Sequence, residues 1–230
     1  AAVGHAGSAS YVDLLSRSVV RTYTTPPSPV GFGATEVVLA NEWLYVLPKG
    51  GSQTISIRLS TGAATESYTS PYSGRLHPSG KAIYSSWNGE QWSEGGMARL
   101  MVEGGAIGEV SGVASETGYG HCGRTWFSPD GARIYSACAT AATYSADARL
   151  DLRRMTKFFS NQVQAFAESV SGLIATVPAQ TSMPPGFTEP VPNGDHQVVL
   201  VASSGLEEVG RLAIPRFTVG GTNHVGEGRW

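Results

Sequence analysis

Two stretches of the chain repeat one short pattern, and this repetition constrains the fold more than any other feature of the sequence. The segments RLHPSGKAIYSSW, from Arg75 to Trp87, and WFSPDGARIYSAC, from Trp126 to Cys138, each contain proline, a small polar residue and glycine. Two residues later both continue with Ile-Tyr-Ser. Apolar runs on either side of Asp, Ser and Gly are typical of a β-hairpin. Each segment therefore predicts a strand, a two-residue turn such as Asp130-Gly131, and a second strand.

Looser copies of this hairpin, and hairpins of a second type, extend the repeat along the chain. The looser copies are VVLANEWLYVLP, with its turn at Asn41-Glu42, and FAESVSGLIATVP, with its turn at Ser171-Gly172. The turns of the second type centre on Arg17, Thr61, Gly104 and Ser204. They recur about every 44 residues, with one interval of two periods. The missing copy is expected near residues 147–159, where the sequence does not place a turn.

Four short antiparallel strands per repeat, with a period in the forties, are typical of a β-propeller blade. The composition agrees, because 29 glycines and 13 prolines interrupt helices and suit many short strands and turns. The segment FSPDGARIYSAC also resembles the hairpin of the YVTN and WD40-like propeller repeats, in which Ser-Pro-Asp-Gly precedes an apolar-aromatic pair. The repeat and the resemblance both imply an all-β propeller of four-stranded antiparallel blades.

The two ends of the chain predict how the blades are completed. The tail HVGEGRW supplies one strand and a Glu227-Gly228 turn, and the head AAVGHAGSASYVDLL supplies material for a return strand. One interpretation is a single domain over residues 1–230 with five blades, closed by pairing both termini in one blade, because closure removes exposed sheet edges. The other interpretation is a fragment of a longer propeller of six to eight blades.

Cys122 and Cys138 are the only cysteines, and they flank the Asp130-Gly131 turn. If Ser128 faces Ala132 in the hairpin, Cys122 also faces Cys138, on the same side of the two strands and within reach of a disulfide. Such a bridge predicts an oxidising compartment, so we expect a secreted or periplasmic protein. The alternative is a pair of reduced, buried cysteines.

Ligand-binding residues are expected where aromatic and histidine side chains meet a propeller's loops or its central channel. Trp87 and Trp92 lie in the loop SSWNGEQWSEGG and predict a platform for a sugar or a peptide. His121 and His224 lie on or before predicted inner strands, near the opening of the channel. The structural alternatives are tryptophans that pack between blades and histidines that form hydrogen bonds within the fold.

The repeats explain most of the notable residues as turn or core positions, so the sequence favours a non-catalytic binding or scaffolding domain. His77 and Asp130, for example, are expected to act within turns. The expected partner is a protein or a carbohydrate, and no cofactor or metal site is expected, because two cysteines are too few ligands for zinc. The alternative is a propeller enzyme, either a glycoside hydrolase or lyase or a subunit of a redox enzyme, for which the sequence assigns no catalytic residue.

The charge and hydropathy of the chain predict no nucleic-acid partner and no membrane span. The net charge of −2 gives no electrostatic footprint for nucleic acid or for an anionic membrane. No apolar run approaches the ~18 residues of a membrane-spanning helix.

Overall fold

The structure is a computed structural model that describes residues 1–5, 8–24, 36–47, 54–67, 73–86, 96–113, 123–153, 155–158, 163–178, 197–214, 216–219 and 222–225. Within these residues the regular structure is entirely β-strand, as the repeat predicts. They contain no helical segment with the length and hydropathy that crossing a membrane requires. The chain divides into two compact units: the first comprises residues 1–87 and 96–114, and the second comprises residues 88–95 and 115–230.

The described residues of the first unit form three antiparallel sheets whose strands are neighbours in chain order. The first sheet has three strands, β1 (Ala2–His5), β2 (Ser8–Asp13) and β3 (Ser18–Thr24). The second has four, β4 (Glu36–Ala40), β5 (Trp43–Leu47), β6 (Thr54–Arg58) and β7 (Ala64–Ser67). The third has β8 (Ser73–Leu76), β9 (Ala82–Ser86), β10 (Met97–Glu103) and β11 (Ala106–Val113). Each four-stranded sheet joins one hairpin of the first type to one of the second, as predicted.

The second strand of a sheet carries apolar side chains on both faces, and β5 shows the consequence. Successive side chains of a strand point to opposite faces. Leu44 and Val46 pack into a core with the first sheet, whereas Tyr45 and Leu47 pack into a separate core with the third sheet. The outer strand β7 is largely exposed, so burial falls from the inner strands to the outer ones. A sheet of this kind therefore needs a neighbouring sheet on each face.

Two glycines allow the second and third sheets to approach closely. Gly105, in the turn between β10 and β11, has a φ of 86°, and a Cβ there would lie 2.4 Å from the Trp43 ring. In β8, a Cβ at Gly74 would lie 2.7 Å from the Leu47 side chain. The Gly74 N–H donates a 2.7 Å hydrogen bond to the Glu36 carboxylate of β4. The contact between these sheets therefore uses positions where any side chain would overlap a neighbour.

The described residues of the second unit repeat this architecture in two four-stranded sheets and one hairpin. One sheet has β12 (Thr125–Phe127), β13 (Arg133–Ser136), β14 (Thr140–Thr143) and β15 (Met155–Lys157). The next has β16 (Val163–Glu168), β17 (Leu173–Pro178), β18 (Gln197–Ala202) and β19 (Glu207–Ala213). The hairpin consists of β20 (Arg216–Val219) and β21 (Thr222–Val225). Tyr135 of one sheet and Phe166 of the other pack in the shared core, with ring centroids 4.3 Å apart.

The loop at Asp130-Gly131 is longer than the sequence predicts. The Ser128 N–H donates to the Arg133 carbonyl at 3.0 Å, so the loop has four residues, 129–132. The predicted pairing of Ser128 with Ala132 is therefore wrong by one residue. The reason lies in side chains: the Ser128 hydroxyl donates to Asp130 at 2.6 Å, and Asp130 accepts the Ala132 N–H at 2.9 Å. These hydrogen bonds stabilise a wider loop than Asp-Gly alone would favour.

Two further hairpins have definite outcomes. The Asn41-Glu42 hairpin has the predicted two-residue turn, with Asn41 at a φ of 53°. The missing copy of the second hairpin is the pair β14 and β15, joined by the long connection 144–154. Strand β14 reads Thr-Ala-Ala-Thr and has no large apolar side chain, so its sequence does not show the pattern that reveals the other copies.

The ends of the chain are described in part. Strand β1 lies at one edge of its three-stranded sheet, and β20 pairs with β21. The Glu227-Gly228 turn lies outside the described residues. The closure of a five-bladed ring by both termini, the alternative of six to eight blades, and the single domain over 1–230 therefore stay predictions.

We expect Gly105→Ala to destabilise the protein more than Gly104→Ala does. Both glycines have positive φ, but a Cβ at Gly104 would meet nothing within 4 Å, whereas one at Gly105 would overlap the Trp43 ring. We expect a loss of about 1 kcal/mol in the free energy of unfolding for Gly104→Ala, from backbone strain, and at least about 3 kcal/mol for Gly105→Ala. Urea denaturation measures both, and equal losses would contradict the close contact.

Candidate functional site

A polar cleft opens at one edge of the second unit, where turns of its two four-stranded sheets meet. In a sheet of four consecutive antiparallel strands, the first and last turns lie at the same edge. The cleft has a volume of about 520 Å³, a common size for a ligand site. Its lining residues are Ser128, Pro129, Asp130, Ala132, Arg133, Glu168, Ser169, Val170, Gly172 and Ser203.

A buried tyrosine holds the Glu168 carboxylate at the wall of the cleft. Tyr135 is fully buried on β13, and its hydroxyl donates a 2.8 Å hydrogen bond to Oε2 of Glu168, at the end of β16. Burial and, next, this hydrogen bond raise the pKa of Tyr135 well above its usual range, so the hydroxyl stays protonated and remains a donor. Among the described residues, the Tyr135 hydroxyl is the one hydrogen-bond partner of the Glu168 carboxylate. The other carboxylate oxygen is therefore available to a ligand.

Asp130 places a second carboxylate at the cleft. Its Oδ1 accepts the hydrogen bonds from Ser128 and Ala132 that stabilise the wider loop. The Ser128 hydroxyl in turn accepts the Arg133 N–H at 2.9 Å. The hydrogen bond from Ser128, then that from Ala132, lower the pKa of Asp130. Asp130 is therefore ionised at neutral pH and fixed in direction by its own loop.

Arg133 supplies the positive charge of the cleft. Its side chain is half-buried, and Nη1 donates to the carbonyl oxygen of Ser203, in the turn between β18 and β19. This contact connects the two sheets across the cleft. One guanidinium and two carboxylates line the same space, so the cleft is polar, charged and held in shape by hydrogen bonds. Such an arrangement recognises a polar ligand that carries a positive group.

Most of the ligand residues that the sequence predicts cannot be placed. Trp87, Trp92 and His121 lie outside the described residues. His224 lies on β21 and pairs with Phe217 in the ladder, but its side chain is outside the description. The described lining of the cleft includes none of these four residues, and their role in binding stays a prediction.

The observed strand register does not place Cys122 opposite Cys138, as the sequence predicts. In the observed register Thr125 faces Ser136, so a regular continuation of the strands would place Cys122 and Cys138 on opposite faces. Cys138 lies beyond the end of β13 in a turn, where that alternation no longer holds. Cys122 lies outside the described residues. The disulfide between them stays a prediction, but strand pairing no longer supports it.

His77 and Asp130, the residues predicted to act within turns, both do so. His77 Nδ1 lies 2.9 Å from the Ser79 hydroxyl and accepts the Ser79 N–H at 3.1 Å, which confirms the turn role. Asp13 accepts hydrogen bonds within its own turn. Asp151 accepts the N–H of Ser145 in the connection between β14 and β15. These acids have structural hydrogen bonds of their own.

Glu168 was not predicted as a site residue, although its position in the repeat distinguishes it. In three hairpins of the first type, an isoleucine after the turn pairs with a residue of the preceding strand, and that residue is Leu76, then Phe127, then Glu168. A charged residue at a repeat position that is elsewhere apolar marks a departure from the needs of the fold. The neighbouring sheet provides the reason, because the Tyr135 hydroxyl needs an acceptor.

Comparisons with known proteins identify the fold and no family. No known protein family matches the chain, and no curated protein matches it. Solved structures do match. Hydrazine synthase of Kuenenia stuttgartiensis aligns at 15% identity over 91% of this chain and 60% of that one, with a TM-score of 0.56. The β-propeller domain of Cps50 (Swd1) from Myceliophteria thermophila aligns at 10% identity over 91% and 80%, with a TM-score of 0.52.

A chain of the Mitotic Checkpoint Complex aligns at 10% identity over 90% of this chain and 59% of that one, with a TM-score of 0.59. The fold is a β-propeller. Its four-stranded sheets are blades, as the repeat predicts. Identities of 15% or less carry the fold alone, so membership of the YVTN repeat family stays an expectation. The chain spans about 60% of the length of the hydrazine synthase chain that it matches.

The lowered pKa of Asp130 predicts a stability that depends on pH. A carboxylate whose pKa is lower in the folded state stabilises that state above its ordinary pKa of 3.8, and the contribution is lost as the pH falls through the folded value. Because Asp130 is exposed, we expect less than about 1 kcal/mol. Urea denaturation at pH 6 and pH 2.5 should show a smaller pH-dependent loss in Asp130→Asn and in Ser128→Ala than in the wild type. The same loss in all three proteins would contradict the assignment.

Proposed function

We propose that this β-propeller is a non-catalytic binding or scaffolding domain that holds a short segment of a partner protein in its cleft. The hydrogen bond from Tyr135 to Glu168 carries the proposal. It fixes a carboxylate at the cleft wall before any ligand arrives, so binding does not have to order that side chain. Asp130 and Arg133 are fixed in the same way, by a turn and by the Ser203 carbonyl.

A protein segment suits this cleft better than a carbohydrate does. Sugar sites commonly present an aromatic face, and none of the ten residues that line the cleft is aromatic. Hydrogen-bonding side chains and one large exposed hydrophobic side chain, that of Val170, suit a peptide instead. One similar structure is a protein assembly, the Mitotic Checkpoint Complex, which is in keeping with a propeller that binds proteins.

The charge balance of the cleft favours a segment that contains Lys or Arg. Two carboxylates exceed one guanidinium, and that guanidinium already donates to a carbonyl. A basic side chain would pair with the oxygen of Glu168 that has no hydrogen bond within the described structure. A charge-assisted hydrogen bond of this kind contributes roughly 1.5–3 kcal/mol.

A displayed random-peptide library, with a glycan array in parallel, tests the proposal on the full chain. We expect enriched peptides to contain Lys or Arg, and Glu168→Gln to weaken the binding of the best peptide by about tenfold to a hundredfold. Tyr135→Phe should weaken it less, because the carboxylate remains but is no longer fixed. The matched control is Glu207→Gln, which removes an exposed carboxylate of β19 outside the cleft and should leave the affinity within about twofold.

Three outcomes would contradict this function. The first is a set of peptides without basic residues, and the second is equal binding by the wild type and Glu168→Gln. The third is specific binding to glycans alone, which would direct attention to Trp87 and Trp92. Circular dichroism of each variant distinguishes loss of binding from loss of fold.

We also propose that the protein works outside the reducing cytoplasm, in a secreted or periplasmic location. The support is the predicted disulfide. Cys122 and Cys138 are the only two cysteines in the sequence, so each is the other's one possible disulfide partner within the chain. Disulfides persist in oxidising compartments and are rare in the cytosol.

Thiol titration tests the bridge. The denatured protein without reductant should give no reactive thiol, and reduction should release two. Reduction should also lower the free energy of unfolding by roughly 2–4 kcal/mol, whereas a Cys122→Ser/Cys138→Ser variant should not respond to reductant. Two reactive thiols before reduction would refute the disulfide and remove the support for the location.

A further inference from the structure

The hairpin of β2 and β3 in the first unit ends in exposed apolar side chains. Leu14 and Leu15 occupy the turn, with 69% and 96% of their surface exposed, and Val19 and Val20 follow on β3 with 60% and 56%. We call these four residues the apolar tip. Outer strands expose apolar side chains elsewhere too, as Val209 of β19 does, but the two leucines extend the exposed apolar surface over the turn itself, and a contiguous surface of this kind marks an interaction site.

Comparison with the matching turns shows that the fold does not require these leucines. The turns over residues 14–17, 59–62 and 203–206 each have four residues and end at a residue with positive φ. The second position is Leu15 in the first turn, but serine in the other two, Ser60 and Ser204. At the first position, Leu59 packs against the core, whereas Leu14 does not. Serine therefore satisfies this turn, and leucine at position 15 needs another explanation.

Several polar groups of the turn form hydrogen bonds with one another. Asp13 Oδ1 accepts the Leu15 N–H at 2.9 Å, and Asp13 Oδ2 accepts the Ser16 hydroxyl, also at 2.9 Å. The Ser16 and Ser18 hydroxyls lie 2.7 Å apart. Moving such a turn out of water removes hydration from fewer unpaired polar groups than moving an open loop would. The desolvation penalty is therefore lower. The hydrogen bonds from Leu15 and Ser16 also lower the pKa of Asp13, so its carboxylate stays charged and has to remain at the headgroup level while the leucines insert.

Two arginines lie close to the leucines along the chain. Arg17 ends the turn, and Arg21 follows on β3, where its guanidinium lies 5.2 Å from the centre of the Tyr23 ring. The net charge of the whole chain does not predict this feature, because it is local to one hairpin. Exposed apolar residues with cationic side chains in the same hairpin suit the interface of an anionic bilayer, where the acyl boundary lies next to the charged headgroups.

We propose that the apolar tip docks this propeller on an anionic lipid surface, with Leu14 and Leu15 inserted among the acyl chains and Arg17 at the phosphate level. The tip is the end of a hairpin with exposed side chains on both strand faces, so it suits insertion end-on better than contact with a flat protein face. Two leucines and one or two arginines give reversible docking rather than anchoring. This inference is independent of the cleft, which lies in the other unit.

Flotation with two vesicle compositions tests the proposal. The full chain should float with vesicles of phosphatidylcholine containing about a third phosphatidylserine, and several-fold less with phosphatidylcholine alone. Leu15→Ser uses the residue of the two matching turns, so it should fold, and it should lower the bound fraction by roughly tenfold. Arg17→Gln should lower binding to the anionic vesicles only. The control is Leu212→Ser, which makes the same change at a leucine that is 57% exposed on β19 and does not line the cleft, and it should change nothing.

The result that would overturn the proposal takes one of three forms. The wild type does not float with either vesicle, or Leu15→Ser and the wild type float equally. The third outcome is a dimer of the wild type, seen by analytical ultracentrifugation without vesicles, that Leu15→Ser abolishes. This result would mean that a second copy of the chain covers the tip. Circular dichroism and the peptide binding of the cleft report whether each variant is folded. Loss of vesicle binding with the cleft intact therefore separates this inference from the proposed function.

Discussion

The structure depends on strands that are apolar on both of their faces. In β5 every side chain from Leu44 to Leu47 is buried, and alternate residues enter two different cores. A sheet with such a strand is stable only between two other sheets, because one uncovered face would leave several large apolar side chains in water, at roughly 1.5–3 kcal/mol each. This requirement explains why one hairpin pattern recurs along the sequence. Each repeat supplies a sheet that covers its neighbour and needs to be covered in turn.

Stacked sheets also explain where a site can form. The inner strands pack into the cores, so substitutions are tolerated better in the turns of the repeat. In the second unit the turn with Asp130 and the turn after Glu168 come from neighbouring sheets, and the Arg133 contact to Ser203 connects them. The Tyr135 hydroxyl reaches from the buried layer to the Glu168 carboxylate at the surface. The rigidity of the cleft is therefore inherited from the packing beneath it.

The sequence predicted the architecture through its repeated residues and failed where side chains act individually. Ile83-Tyr84 and Ile134-Tyr135 are core pairs, as the hairpin pattern indicates. The pattern did not predict the four-residue loop at Asp130, because the Ser128 hydrogen bonds that widen it do not follow from turn propensity. The pattern also did not predict β14, because the side chains of Thr-Ala-Ala-Thr are small and do not alternate between apolar and polar.

The candidate site was not predicted, for a related reason. The predicted ligand residues were tryptophans and histidines, because these residue types commonly bind ligands. Glu168 belongs to the cleft because a tyrosine from the neighbouring sheet meets it, and pairing between sheets is not visible in local sequence. The same holds for Leu14 and Leu15, whose exposure follows from the end of a hairpin rather than from their hydrophobicity.

Tyrosine hydroxyls cross from one sheet to the next in both units, but their acceptors differ in kind. Tyr23 donates to the backbone carbonyl of Leu59 at 2.9 Å, whereas Tyr135 donates to the side chain of Glu168. Every residue has a carbonyl, so the first contact would survive if a repeat were duplicated, exchanged or allowed to diverge. The second contact requires one particular residue in the adjoining repeat. Tandem duplication of a single repeat would therefore preserve the contact to a backbone carbonyl. The contact between Tyr135 and Glu168 would be preserved only if both adjoining repeats were duplicated together.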